Sequence, residues 1–462
     1  MEDTDQTNCT PVRQDDRCNY LGDFQMLEFN MPVHENWNIV HIAMQVPESH
    51  QIYVCPENCA RGVVMTAYEM GAEDRFSCVT VNERDLIIDN LETITIDGCC
   101  DVIDELRASG HAPRVIFLFT VCSHRMLSCD FDFVFRTLRE RYPDIIFAHG
   151  YMDCIAQKEG PMPDEKLRRE MYGFVPESHT DEKIINIIGS EVTATAENND
   201  LIRMMGLYPI EGVRFRQLSD ISTFDDYMRL GDACLNICQY RAGDMGVREF
   251  SRRLGIPYFY ALPYFDDESM AQQLLELDNI RCDCGKELGI WINEYLNDFN
   301  DDSLACREDY RQFAAEIGDM PVVLDYMAVN CPYSLAEYLL ENGFNVRAVV
   351  ADGPADYEKE IHERLMEKYP SVISVNPVDP RLREESYRTR LRGGDDRILA
   401  IGPRAAWVYN TSYFVNQIEN DGAYGVAGWR TLLQKMREAV QTPKDLEGTV
   451  SRKALGLPSC IR

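Results

Sequence analysis

The chain is 462 residues long, with 46 Lys+Arg against 77 Asp+Glu and a formal net charge of −31. That balance, with no basic stripe to follow a phosphate backbone, argues against nucleic acid and anionic membrane surfaces as partners. No run approaches the ~18 consecutive apolar residues of a membrane span, and the acidic start "MEDTDQTNCTPVRQDDRCNYLGDF" lacks the organisation of a secretory signal, so a cytoplasmic location is expected.

In such a reducing compartment the 17 cysteines point to metal ligation or redox work before structural disulfides. The first notable stretch, "IYVCPENCARGVVMTAYEMG" (Ile52 to Gly71), places Cys55 and Cys59 four apart between a short apolar run and a predicted helix. After it, one grammar repeats: a β-branched or aromatic run, a loop, then an amphipathic helix closed by Gly or Pro. "RVIFLFT" leads into "DFDFVFRTLRERYP", and "DIIFAHG" follows. A second set runs through "KIINIIGS", "NNDLIRMMGLYP", "VRFRQLS", "TFDDYMRLGDA", "CLNIC", "MGVREFSRRLGIP" and "YFYALPY". A third begins at "MPVVLDYMAVNC", continues through "SLAEYLLENGF", "NVRAVVAD", "YEKEIHERLMEKYP", "SVISVNP" and "RILAIGP", and closes on "WRTLLQKMREAV".

Strands alternating with helices of this length read as βαβ units around parallel sheets. At roughly 150 residues per domain, the fold class is α/β, with three Rossmann-like domains whose sheets are flanked by helices. The expected boundaries are 1–180, 181–318 and 319–462, each domain long enough to bury its own core. The acidic "EYLNDFNDDSLACREDY" reads as a linker or connecting helix between the second and third.

Several apolar runs end at a cysteine: Cys122, Cys154, Cys238 and Cys331. Ligands of open α/β sheets sit beyond the carboxyl ends of the strands, so these residues lie at a functional rim. The alternative, a small buried hydrophobe, is equally in keeping with cysteine. Dinucleotide fingerprints, a P-loop, H-E-x-x-H, G-x-S-x-G and paired C-x-x-C arms are all missing. His149 and His179, like the other six histidines, read as ordinary surface or core residues.

With those patterns in hand, the chain resembles component 1 of nitrogenase and its relatives, which include dark-operative protochlorophyllide reductase and a cofactor-assembly scaffold. "CPENCARG" resembles the family's glycine–cysteine loop, and "VIFLFTVCSHRMLSCDFDFVF" its strand, ligand cysteine and following loop. "DRFSCVTVNERDLIIDNLETITIDGCCDVI", "DACLNICQYRAGDMGVREFSRRLGIPYFYALPYF" and "GAYGVAGWRTLLQKM" follow in the family's order.

The resemblance implies a two-component reductase. A separate iron-protein-like ATPase would deliver electrons to an iron–sulfur cluster, [4Fe–4S] or larger and P-cluster-like, at an interface between this chain and a second copy or a homologous subunit. Carried over, the cluster ligands fall on Cys18, Cys59 and Cys122, with Cys55 an alternative ligand, a proton or redox helper, or filler. Cys78 and Cys129 stand where the family has other residues, and packing explains them as well as ligation does.

Cys238 lies within about one position of the cysteine that binds the family's large cofactor, by superposing the "GIP" turns. No histidine occurs in "WVYNTSYFVNQIENDGAYGVAG", so dinitrogen reduction by the usual cofactor is not expected; a tetrapyrrole, a sulfur compound, another unsaturated substrate or a different metallocluster are the alternatives for the site. Arg241, Arg248 and Arg404 are candidate anion anchors, each more readily explained as a solvated or salt-bridged side chain. A non-catalytic scaffold for metallocluster or tetrapyrrole assembly is the rival reading.

Overall fold

The computed structural model describes residues 31–32, 39–88, 91–152, 161–178, 181–189, 194–207, 214–280 and 285–452. Cys18, Cys154, His179, Cys282 and Cys284 therefore lie outside the described residues.

Among the described residues, thirteen strands form three all-parallel sheets. The first holds β1 (Ser49–Cys55), β2 (Phe76–Thr80), β3 (Val115–Val121) and β4 (Ile146–Met152), in the order β2-β1-β3-β4. The second holds β5 (Asp181–Ile188), β6 (Arg214–Gln217), β7 (Ala233–Cys238) and β8 (Tyr258–Tyr260), ordered β6-β5-β7-β8. The third runs β11-β10-β9-β12-β13, from β9 (Pro321–Asp325), β10 (Asn345–Val350), β11 (Ile373–Val375), β12 (Leu399–Ile401) and β13 (Phe414–Val415).

Sequence explains these elements locally. β3 is buried along its whole length, and an uninterrupted apolar run such as "VIFLFTV" suits a strand covered on both faces. The helix Phe131–Arg141 begins where Asp130 accepts the Phe133 N–H at 2.9 Å, a capping carboxylate at the positive end of the helix. The helix Asp244–Leu254 ends on Gly255 at φ 71°, a backbone geometry that side chains disfavour.

The acidic stretch at 294–310 lies inside a 33-residue helix, Gly285–Ile317. Its charges face outward while Tyr295, Phe299, Cys306, Tyr310 and Phe313 are buried, a stripe at helical spacing.

Apolar clusters run from one sheet to the next. Tyr53, Phe117 and Phe119 of the first sheet share a core with Ile188, Val247 and Phe250 of the second unit. Ile185 and Leu235 of the second sheet share another with Val322 and Leu324 of the third. Helices lying between sheets bury one side against each, so the units are welded by apolar surface rather than merely linked. The last long helix, Gly425–Gln441, packs on β12 and β13 and also on the helices Asp200–Leu207 and Gly285–Ile317. Tyr310 fixes it there, donating its hydroxyl to the Trp429 carbonyl at 2.7 Å. No helix among the described residues is long and apolar enough to cross a membrane.

Candidate functional site at the strand ends

β1 and β3 are neighbours, and Val54 pairs with Thr120 just before Cys55 on one strand and Val121 and Cys122 on the other. Pro56 stops β1 and begins the helix Glu57–Glu69, whose buried face carries Ala60, Val63, Thr66 and Ala67. Cys59 falls on that side of the helix, but in the first turn, and it is exposed. Cys122 opens a five-residue helix, Cys122–Met126, directly after β3 and is half-buried. Two of the three expected ligands thus stand on the connections that leave adjacent strands at the same sheet edge.

The other thiols of this unit are placed differently. Cys55 is fully buried, and burial, reinforced by the Cys78 and Cys59 thiols, pushes its thiol up to about 12. Its burial sets it apart from the exposed Cys59 four residues on. Cys78, on β2 beside Tyr53, is pushed up to about 11 by desolvation. Cys129 is buried and raised to about 12, by burial first and then by Glu92. Among the described residues, no three His, Cys, Asp or Glu side chains of this chain converge as a metal site.

The donor type at the rim nevertheless fits an iron–sulfur group. Soft thiols suit iron, and beside Cys122 the Ser123 hydroxyl is buried with no hydrogen-bond partner, a donor left over for a sulfur ligand.

Near Cys122 lie two histidines, His124 two residues on and His149 on the neighbouring strand β4. The His124 imidazole is buried, its Nδ1 accepts the Val121 N–H at 3.4 Å, and its Nε2 lies 3.3 Å from Thr95 Oγ1. His149 Nε2 lies 2.8 Å from Thr120 Oγ1, and its ring packs on Phe131, Phe135 and Tyr151. Desolvation lowers His124 to about 4 and His149 to about 3, so both rings are neutral at physiological pH. The triad "CSH" was the only sequence signal, since His149 reaches this place through strand pairing.

On the second sheet, Cys238 ends β7 and is buried. Its thiol donates to the Tyr240 carbonyl at 3.0 Å. A Cβ on Gly189 would stand 2.8 Å from the sulfur, and one on Gly243 2.6 Å. Those two glycines let the chain close over this thiol. The next residue, Gln239, is buried with neither atom of its side-chain amide partnered, and the Tyr260 hydroxyl at the end of β8 is likewise buried and unpaired. Gln239 also joins the second and third sheets: its carbonyl accepts from Asn330 Nδ2 at 3.1 Å, and the Asn330 N–H donates to Asn420 Oδ1 at 3.2 Å. The Tyr357 hydroxyl donates to the Asn330 carbonyl at 3.0 Å, with the Arg241 guanidinium over the Tyr357 ring. Here the structure adds a buried polar junction between the second and third sheets that no motif announced.

Of the other arginines, Arg248 is exposed and paired with Asp244 at 2.7 Å. Arg404 is not solvated: it is buried, donates to the Tyr326 hydroxyl at 2.7 Å and lies over that ring. Cys331, at the third sheet, is fully buried, and burial raises its thiol well above the ordinary range.

The comparisons with known proteins agree with this architecture. The family model described as nitrogenase component 1 type oxidoreductase matches residues 40–389, well over half of the chain. A solved structure titled "Nitrogenase Cp1 at pH 6.5" superposes with a TM-score of 0.59 at 11% identity, covering 90% of this chain and 94% of that one. Another, "Nitrogenase Cp1 at pH 5", gives 0.55 at 12% identity, with 90% of each chain covered. At such identities the likeness concerns the fold. No protein of curated function matches the sequence significantly. Three all-parallel sheets in this order, together with the family match over residues 40–389, place the chain in the nitrogenase component 1 type oxidoreductase family.

Proposed function

We propose that this chain is the catalytic, component 1 subunit of a nitrogenase-like two-component reductase acting on an unsaturated or organic substrate other than dinitrogen. Members of the family typically bind iron–sulfur clusters and partner with an iron protein. In this reading Cys59 and Cys122, with Cys18, hold a cluster at an interface with a second copy or a homologous subunit. An ATP-dependent iron–sulfur protein supplies the electrons, in keeping with the missing P-loop.

The observation that carries the reading is the contrast among strand-end thiols: Cys55, Cys238 and Cys331 are buried, while Cys59 is exposed and Cys122 half-exposed at one sheet edge. The same helices and the next carry exposed apolar side chains, Tyr68 at 67%, Met126 at 71% and Phe133 at 42%. Apolar surface left in this way suits a covering partner. The cluster, when bound, supplies storage of low-potential electrons. The chain's own residues supply thiolate charge at Cys59 and Cys122, a dry wall of Phe131, Phe135 and neutral His149 behind Cys122, and the Ser123 hydroxyl as a hydrogen-bond donor. At the other end, the Gln239 amide and Tyr260 hydroxyl are buried without partners, hydrogen-bonding groups that a polar substrate opening this junction would meet.

A second reading, an assembly scaffold, rests on the same rim thiols, exposed Cys59 and half-buried Cys122, which would hold a cargo without turnover. The test is iron and acid-labile sulfide per chain, with EPR after dithionite, on anaerobic protein and on Cys59→Ala and Cys122→Ala. Loss of the cluster in both variants, with substrate turnover by the native protein plus its ATPase, supports the reductase. Intact release of cargo without turnover supports the scaffold. Iron indifferent to both substitutions overturns the ligand assignment.

A further inference from the structure

We propose that His124 is a positioning residue that sets the direction of the Cys122 thiol. The inference rests on the reading of Cys122 as a cluster ligand, but its geometry stands apart from it. Cys122 begins a helix of five residues, too short to hold its own first turn by helix cooperativity. What fixes it comes from outside the helix: the sheet ladder holds Thr120 and Val121 against Tyr151 and Met152, and the side chains around the turn set how the chain leaves it.

Two contacts meet on the residues just before it. From one side, His124 turns back so that Nδ1 accepts the Val121 N–H, the donor at the helix start that has no intrahelical partner. From another, His149 Nε2 meets Thr120 Oγ1. The His124 tautomer follows from its surroundings. Thr95 Oγ1 donates its proton to the Leu91 carbonyl at 2.7 Å, so toward His124 it is an acceptor, and the imidazole proton sits on Nε2. Nδ1 is therefore left as an acceptor for Val121. The ring is further held by its own backbone, since the His124 carbonyl accepts the Cys129 N–H at 2.8 Å. Thr95, on the helix Leu91–Ala108, thus dictates through one imidazole how the chain turns from β3 into Cys122.

Glutamine offers an acceptor and a donor at similar reach, whereas leucine fills the space and offers neither. His124→Gln and His124→Leu would be prepared in the full chain, with Thr95→Val as a milder break in the same relay. In the metal-free proteins, alkylation of Cys122 and Cys59 would be followed by mass spectrometry alongside thermal unfolding. In the reconstituted proteins, iron content and the EPR line shape would be read.

The expected result is that His124→Leu changes the Cys122 alkylation rate severalfold and leaves Cys59 unchanged. Its iron affinity falls by about 10- to 100-fold, the usual effect of losing a supporting hydrogen bond, with an altered EPR line. His124→Gln restores both, and Thr95→Val shifts Cys122 in the same direction by less. If His124→Leu does not fold, Thr95→Val and His124→Gln decide the matter. Unchanged Cys122 reactivity with unchanged iron, or parallel changes at Cys59, would overturn the proposal. Should the native protein take up no iron while Cys122 alone responds, the positioning role holds and the cluster reading falls.

Discussion

The carboxyl rims of the first and third sheets share a topology and differ in what fills them. At the first, Cys59 is exposed and Cys122 half-buried, and the Ser123 hydroxyl has no partner. At the third, the rim is closed by the chain's own carboxyls. Asp325, ending β9, accepts the Ala328 N–H at 2.9 Å and the Ala405 N–H at 2.8 Å. Glu358 accepts the N–H groups of Tyr333 and Ser334, both at 3.0 Å, in the first turn of the helix Pro332–Glu341. Helix starts of this kind are ready anion sites; in the third sheet an internal carboxyl already occupies them. The parallel α/β plan makes every rim a possible site, and side chains from distant segments decide which rim stays open.

The sharpest way to break the closed rim is Gly402→Ala. Gly402 has φ 115°, and a Cβ there would stand 2.1 Å from the Asp325 carboxyl. Strain and displacement together should cost on the order of 2–4 kcal/mol, read as a lower midpoint in denaturant, with the iron bound per folded chain unchanged. A midpoint equal to that of the native protein would mean that the Asp325 contacts do not hold this rim.

A pH series sharpens the comparison next. Burial raises Glu358 from its ordinary 4.5 to about 8, although the two backbone N–H groups favour its ionised form. A carboxyl whose folded value is raised binds its proton more tightly in the folded state, so its contribution is full below about 4.5 and is lost as pH rises toward about 8. Within that window the native protein should lose up to about 1.4 kcal/mol per pH unit from this group. Glu358→Gln should remove that slope; parallel curves for native and variant protein would contradict the assignment.

The division within the open rim is tested by Cys55→Ala. Removing this buried thiol should cost about 1 kcal/mol and leave iron content unchanged, because Cys59 rather than Cys55 reaches the surface. Lost iron would instead make Cys55 a ligand. The smallest effect is expected at Arg248→Ala: its pair with Asp244 is exposed on the arginine side, and its loss should change stability by less than about 0.5 kcal/mol. A larger effect, or impaired turnover, would return Arg248 to the list of anion anchors.

Legibility differed between fold and site for a physical reason. "VIFLFTV", "CLNIC" and "VVLD" carry their strand character in short-range composition, and β3, β7 and β9 appear where those runs predict. The two-residue β13 has no such run and is set by pairing with β12. For the site, Cys59 and Cys122 stood out through motif order, yet no local pattern distinguished exposed Cys59 from buried Cys55, four residues away. His149 reaches Thr120 only through the alignment of β4 with β3, and Arg404 is buried because the helix Pro403–Val408 after β12 brings it onto Tyr326.

The sequence by itself determined the alternation of strand and helix, the parallel sheets that alternation requires, the acidic surface and the lack of a nucleotide-binding loop. These depend on residue type and spacing within a dozen residues. Only the tertiary structure decided which thiols reach the surface, which carboxyls close the third rim, and that the sheets share cores. Those outcomes depend on which face is covered by which distant segment, and burial of a side chain is a property of its neighbours in space.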